Sequence, residues 1–174
     1  GTVSPVEVTE HMLGRIGALD GRLRASATVT EELALSQATA AERELRAGSW
    51  RGPLHGVPVA VKDLCATNGV RTMGGSTVFA DNVTDFDATV VTRLRDAGAV
   101  LLGKRNLTEG AMGGYNPQLA YPENPWGEGR FPGASSSGSG TATAATRAPR
   151  PPSRRGAARN GRLLLTALFR AATR

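Results

Sequence analysis

Two groups of residues in this 174-residue chain have the types and surroundings to do chemistry. One is the run Pro132-Gly133-Ala134-Ser135-Ser136-Ser137-Gly138-Ser139-Gly140, in which three consecutive serines sit among glycines. Glycine lets backbone N–H groups turn inward and approach a ligand. The small-residue stretch Thr141-Ala142-Thr143-Ala144-Ala145 follows at once and can start a helix. A helix N-terminus offers unpaired donors and a partial positive charge. Such a turn can hold a serine hydroxyl where a substrate carbonyl or a base reaches it; a flexible Gly/Ser linker is the plainer reading of the same residues. The other group centres on Lys62, at the end of the mostly apolar run that starts at Val57. Desolvation at such a position would disfavour the ammonium, which makes the lysine a candidate base. A strand-end lysine reaching solvent is the alternative.

The elements that must position these groups are read from periodicity and caps. Ser4, Pro5 and Glu7 form a capping box with proline at the first helical position. Val8, Met12, Ile16, Leu19 and Leu23 then fall on one face, and His11 lies off it as a solvent-facing structural residue. A second helix is expected over residues 30–47, capped by Thr28 and Glu31 and stopped at Gly48. Val57, Val59 and Val61 alternate as in a strand, with Pro58 near its beginning. Residues 87–97 read as a helix that faces Val90, Val91 and Leu94 to a core. The apolar run Ala99-Val100-Leu101-Leu102 reads as a buried strand. Strand, helix, strand predicts a parallel pair with a right-handed crossover. A short helix can start at Asn106. Residues 113–131 then form a long loop carrying Tyr115, Tyr121 and Trp126, expected to be ordered and to line a pocket.

Composition removes several function classes. The net charge of +6 and pI near 10.6 suggest an anionic partner. However, residues 147–174 hold eight arginines and no Asp, Glu or Lys, and the rest has 13 basic against 15 acidic residues, a net of −2. The basicity belongs to the tail. Cys65 is the single cysteine, so no disulfide and no Cys-based zinc site forms within one chain, and a reducing, cytoplasmic setting is expected. No apolar run is long enough to span a membrane. The start, Gly1-Thr2-Val3, is neither a signal peptide nor an initiator Met and predicts an incomplete N-terminus. Gly98 to Arg105 comes within one residue of a phosphate-binding loop. Its Ala-Val-Leu-Leu interior wants burial, and Arg105 replaces the magnesium-binding hydroxyl, so that reading is rejected.

Taken together, the motifs resemble the amidase signature family. Gly56-Val57-Pro58-Val59-Ala60-Val61-Lys62-Asp63 resembles its lysine strand. Gly103-Lys104-Arg105-Asn106-Leu107-Thr108-Glu109 with Ala111-Met112-Gly113-Gly114 is similar to the segment between its early motifs. Asn124-Pro125-Trp126 resembles its lead-in, and Pro132 to Gly140 its Gly/Ser-rich signature. The resemblance covers residues 1–146, as a partial domain. It implies an α/β fold, the N-terminal part of a mixed β-sheet flanked by helices, incomplete. It also implies cleavage of carboxylic amides by a Ser–Ser–Lys triad without metal or cofactor. By motif position, Lys62 matches the base and Ser135 the bridging serine, which in the family follows a cis peptide bond. Ser136 matches a supporting residue, and Met112 and Gly114 lie where the family lines its acyl pocket.

The departure is as informative. The family's nucleophile lies a little over twenty residues beyond the bridging serine, in a Thr-Gly-Gly-Ser type loop. Here that region reads Arg154-Arg155-Gly156-Ala157-Ala158-Arg159-Asn160. Ser153, between Pro152 and Arg154, has no glycine turn and is not assigned the role. Residues 147–174 are therefore expected to be an Arg/Ala/Pro-rich, out-of-frame or disordered tail, and the chain as given to be inactive. The alternative is a true basic tail, with Leu163 to Phe169 as a short amphipathic helix, that binds nucleic acid or membrane. The expected partner of the intact parent is a small-molecule amide; nucleic acid would concern the tail only, and no membrane partner is expected. The A-type component of a glutamine-dependent tRNA amidotransferase, or a non-catalytic binding protein, are the other readings. Without later strands to cover Val57–Val61 and Val100–Leu102, exposed apolar surface and marginal stability are expected.

Overall fold

The computed structural model describes residues 3–146. Helix α1 (Pro5–Leu23) opens on the expected capping box: Ser4 Oγ accepts from Glu7 N–H, and the Glu7 carboxylate accepts from Ser4 N–H. His11 is exposed. Strand β1 (Ser26–Val29), helix α2 (Glu31–Arg46), strand β2 (Pro58–Lys62), helix α3 (Thr89–Asp96) and strand β3 (Val100–Arg105) follow, with helix α4 (Ser137–Ala144) last. Short 3-10 turns lie at Thr77–Phe79 and Glu109–Ala111, the second in place of the helix expected from Asn106.

The sheet is mixed, in the order β1-β3-β2. β2 runs parallel to β3, as the strand, helix, strand order demands, and β1 runs antiparallel to β3. β1 is an addition to the expected elements: four residues, Ser-Ala-Thr-Val, carry too short an alternation to read, and they become a strand by pairing with an already formed neighbour. Its presence also corrects the cap of α2. Thr28 is a β1 residue opposite Lys104, so it cannot cap a helix. Thr30 stands at the N-cap, and its Oγ1 donates to Leu101 O at 2.8 Å, tying α2 to the sheet.

The central strand β3 is buried at every position. Alternation sends Val100 and Leu102 to one face, where Ala34 and Ala38 of α2 and Val6, Met12, Leu13 and Ile16 of α1 cover them. Leu101 goes to the other face, with Val61 and with Val91 and Leu94 of α3. Val100–Leu102 thus needs no later strand to hide it; β2 and helices α1, α2 and α3 already do so. β2 is less covered: Pro58 to Ala60 are half-buried. Val90 is exposed because α3 is a single short helix and turns only Val91 and Leu94 to the sheet.

One glycine sets the β1–β3 spacing. Gly103 has φ +142, and a Cβ there would stand 2.2 Å from Thr28 O. A register shift in the β2–β3 pairing lies between Val59 and Ala60, leaving Leu102 O free to accept from Thr30 N–H at 3.1 Å.

Candidate functional site

β2 ends at Lys62, which the parallel register sets opposite Arg105 of β3. The lysine is half-buried, and its Nζ donates to Ser135 Oγ at 2.7 Å. The two residues are 73 apart in the chain. The Ala134–Ser135 peptide is cis, and Gly133 before it has φ +98. Ser135 is also held through its backbone: its carbonyl accepts from Thr108 N–H at 3.3 Å.

α4 begins two residues later and is pressed against the end of β3. Gly138 N–H donates to Asn106 O at 2.9 Å, and Asn106 N–H donates to Ala25 O at 2.9 Å. A Cβ at Gly138 would lie 2.4 Å from Ala25 O and 2.6 Å from Asn106 N, so only glycine lets the helix start come this close. Ser136 stands at the N-cap, but its side chain makes no cap bond and is exposed. Ser137 is buried, with no hydrogen-bond partner for its Oγ among the described residues.

The loop before the serine run is ordered by its aromatic residues. Tyr115 stacks on Tyr121 at 5.0 Å and meets Phe131 edge-on at 6.3 Å. Tyr115 OH donates to Gly133 O at 2.9 Å, so it anchors the residue before the cis peptide. Glu123 N–H donates to Leu23 O, and Thr141 Oγ1 of α4 donates back to Glu123 O at 3.0 Å. Of the aromatic residues in this loop, Tyr121 and Trp126 are exposed. One cavity, of about 160 Å³, lies along Val59, Val61 and Leu101 beside α3, and neither Lys62 nor Ser135 lines it.

Met112 is 74% exposed, and Gly114 is exposed. Their backbones form a turn around the residue that holds Ser135: Thr108 Oγ1 donates to Met112 O, and Glu109 N–H donates to Gly114 O at 2.8 Å. Ser153 and the whole segment 147–174 lie outside the described residues.

Asp63 and Lys104 lie within the sequence motifs, yet sequence reasoning gives them no role. The structure buries both completely, with Lys104 Nζ 3.4 Å from Asp63 Oδ1. Lys104 Nζ also donates to Thr72 Oγ1 at 2.6 Å, and Met73 N–H donates to Asp63 Oδ2 at 3.1 Å. Burial pushes the Asp63 carboxyl up and the Lys104 ammonium down, and each partner's charge opposes the shift. The signal in the sequence is a charged residue inside or just after each of two apolar strands, a pattern that burial makes costly unless the charges meet.

A hydroxyl that both donates and accepts, beside an amine at hydrogen-bond distance, can pass a proton between that amine and a third group. A neutral Lys62 could take a proton from Ser135 across the same 2.7 Å, while Ser135 takes one from an attacking group.

Comparison with known proteins gives a consistent answer. The sequence profile of the family described as Amidase matches residues 7–150. A Mycobacterium tuberculosis protein named "Putative amidase AmiD" is 50% identical over 143 residues, covering 82% of this chain and 30% of the relative. The A-type component of the glutamyl-tRNA(Gln) amidotransferase from Thioalkalivibrio sulfidiphilus is 48% identical over 151 residues, covering 86% of this chain and 31% of the relative. The native peptide amidase from Stenotrophomonas maltophilia matches in structure with a TM-score of 0.77 at 40% identity, over 84% of this chain and 32% of that one. The chain thus spans about 30% of the length of the curated relatives it matches.

Proposed function

The chain belongs to the amidase family, and from that premise we propose that Lys62 and Ser135 are the base and the proton relay of an amide-hydrolysing site. The observation that carries this reading is the 2.7 Å hydrogen bond between them. In the intact parent, a serine outside the 1–146 segment attacks the amide carbon. Its proton passes to Ser135 as Ser135 gives its own to neutral Lys62. The new C–O bond forms, the C–N bond breaks, and the relay runs backward to protonate the leaving ammonia or amine. Water then releases the acid by the same route. Met112 and Gly114 line the acyl side, and Ser136 supports the relay. Residues 147–174 contain no glycine-flanked serine, so the 174-residue chain by itself turns over no amide. In this reading residues 147–174 are an out-of-frame or disordered tail. A cytoplasmic setting belongs to the same reading, and the free thiol of Cys65 fits a reducing compartment.

The test replaces the matching segment of the Stenotrophomonas maltophilia peptide amidase with residues 1–146 and measures amide hydrolysis. Lys62→Ala in that chimera is expected to lower kcat about 10²- to 10⁴-fold. An unchanged rate would sink the assignment of the base. The second reading is an amidotransferase component that releases ammonia from glutamine for a tRNA-linked acid. It is favoured by the 48% identity to the Thioalkalivibrio sulfidiphilus protein. Glutamine hydrolysis by the chimera in preference to other primary amides would decide for it.

A further inference from the structure

Behind the Lys62–Ser135 contact lies a second pair of charges that the proposed mechanism does not use. Asp63 follows Lys62 directly, just past the end of β2, and the two side chains take different partners: Lys62 meets Ser135 and Asp63 meets Lys104. Asp63 is tied at four points. Its N–H donates to Arg105 O at 2.9 Å, and its carbonyl accepts from Gly74 N–H at 2.9 Å. Its Oδ2 accepts from Met73 N–H at 3.1 Å, and its Oδ1 faces Lys104 Nζ at 3.4 Å. Lys104 in turn reaches Thr72, so the pair clamps residues 72–74 onto the ends of β2 and β3.

The clamp continues to the serine. Gly74 O accepts from Gly110 N–H at 2.8 Å. Gly110 lies in the turn whose other end, Thr108, donates its N–H to Ser135 O. The buried pair is therefore linked to both halves of the contact: to Lys62 as its neighbour in the chain, and to Ser135 through the hydrogen bonds at Gly74, Gly110 and Thr108 and the 108–110 backbone between them. Burying two charges completely is costly, and apolar residues of similar volume often serve stability equally well.

We infer that Asp63 and Lys104, with Thr72, are positioning residues that hold Lys62 and Ser135 at hydrogen-bond distance. This rests on the reading of Lys62 and Ser135 as base and relay. The other titratable groups acting on the pair are Arg71 on Asp63 and Cys65 on Lys104, and neither hydrogen-bonds to it.

The test follows the Lys62 amine in the 174-residue chain by its pH-dependent acetylation with acetic anhydride, read by mass spectrometry. Four proteins are compared: wild type, Ser135→Ala, Asp63→Asn/Lys104→Met, and the triple variant. Far-UV circular dichroism and a cooperative melt report the fold. Losing one hydrogen bond to a charged amine corresponds to about a tenfold change in Lys62 reactivity at a given pH. Ser135→Ala and the pair variant are each expected to show that change, and the triple variant no more than either. A merely structural pair would lower the melting temperature without this non-additivity. Thr72→Val, isosteric and milder, is the second arm, with an expected change of about threefold. A folded pair variant, or a folded Thr72→Val protein, with wild-type Lys62 reactivity overturns the inference. An unchanged Ser135→Ala protein overturns instead the base-and-relay reading beneath it.

Discussion

Replacing Gly138 by alanine tests how the serine run is held in place. The added Cβ would stand 2.4 Å from Ala25 O, 2.6 Å from Asn106 N and 2.7 Å from Asn106 O. All three are backbone atoms, so no side chain can swing aside. Relief requires α4 to withdraw, which weakens the bonds from Gly138 N–H to Asn106 O and from Asn106 N–H to Ala25 O. Overpacking of this kind costs about 1–3 kcal/mol, and each weakened backbone bond about 1 kcal/mol. The expected loss is about 2–4 kcal/mol. Gly140 supplies the control in the same helix. A Cβ there meets only Pro132 O, at an ordinary 3.7 Å. Gly140→Ala should therefore stabilise, by about 0.5–1 kcal/mol, through helix propensity alone. Urea unfolding of both variants measures the difference, with an unchanged slope required for comparison. If Gly138→Ala lies within about 0.5 kcal/mol of wild type, or both variants shift alike, the docking argument is wrong.

Lys104→Met leaves the Asp63 carboxylate buried without its ion-pair partner and should cost about 3–5 kcal/mol in urea unfolding, most of it recovered in Asp63→Asn/Lys104→Met; equal stability of the single and double variants would contradict this. Hydrogen bonds from Arg51, together with its charge, hold the Glu44 carboxyl below the ordinary glutamate range against a smaller opposing effect of burial. Its contribution to stability is therefore complete above that ordinary range and lost as pH falls through the lowered folded value. Melting curves from about pH 5 down to about pH 3 should show a smaller acid loss in Glu44→Gln than in wild type.

How far the chain can be read from its residues depends on how local each cause is. The α1 cap is visible because Ser4, Pro5 and Glu7 satisfy one another within a single turn. β3 is visible because four apolar residues between turn signals have nowhere to go but inside. β1 is not, since its pairing with β3 comes from residues nearly eighty positions away. The same distance misplaces the cap of α2, whose threonine bonds to Leu101 rather than to its own helix. Lys62 and the serine run stand out as chemistry-bearing types, but their meeting depends on β3, the turn at Thr108 and α4 together. Lys104 is the hardest to read. A lysine in a strand suggests a solvated end, and only the three-dimensional placement of Asp63 and Thr72 explains its complete burial.

The 73-residue separation of Lys62 from Ser135 also sets a clock. At about 5–20 residues per second, the serine leaves the ribosome roughly 4–15 s after the lysine. β1 waits comparably long, because Ser26 pairs with Arg105. Helices α1 and α2 can meet early, but the sheet they cover closes only when β3 arrives. During synthesis, then, β1 and β2 spend seconds as separate open edges. Pauses in translation between codons 62 and 105 would lengthen that exposure by the length of the pause, without changing a single residue of the product.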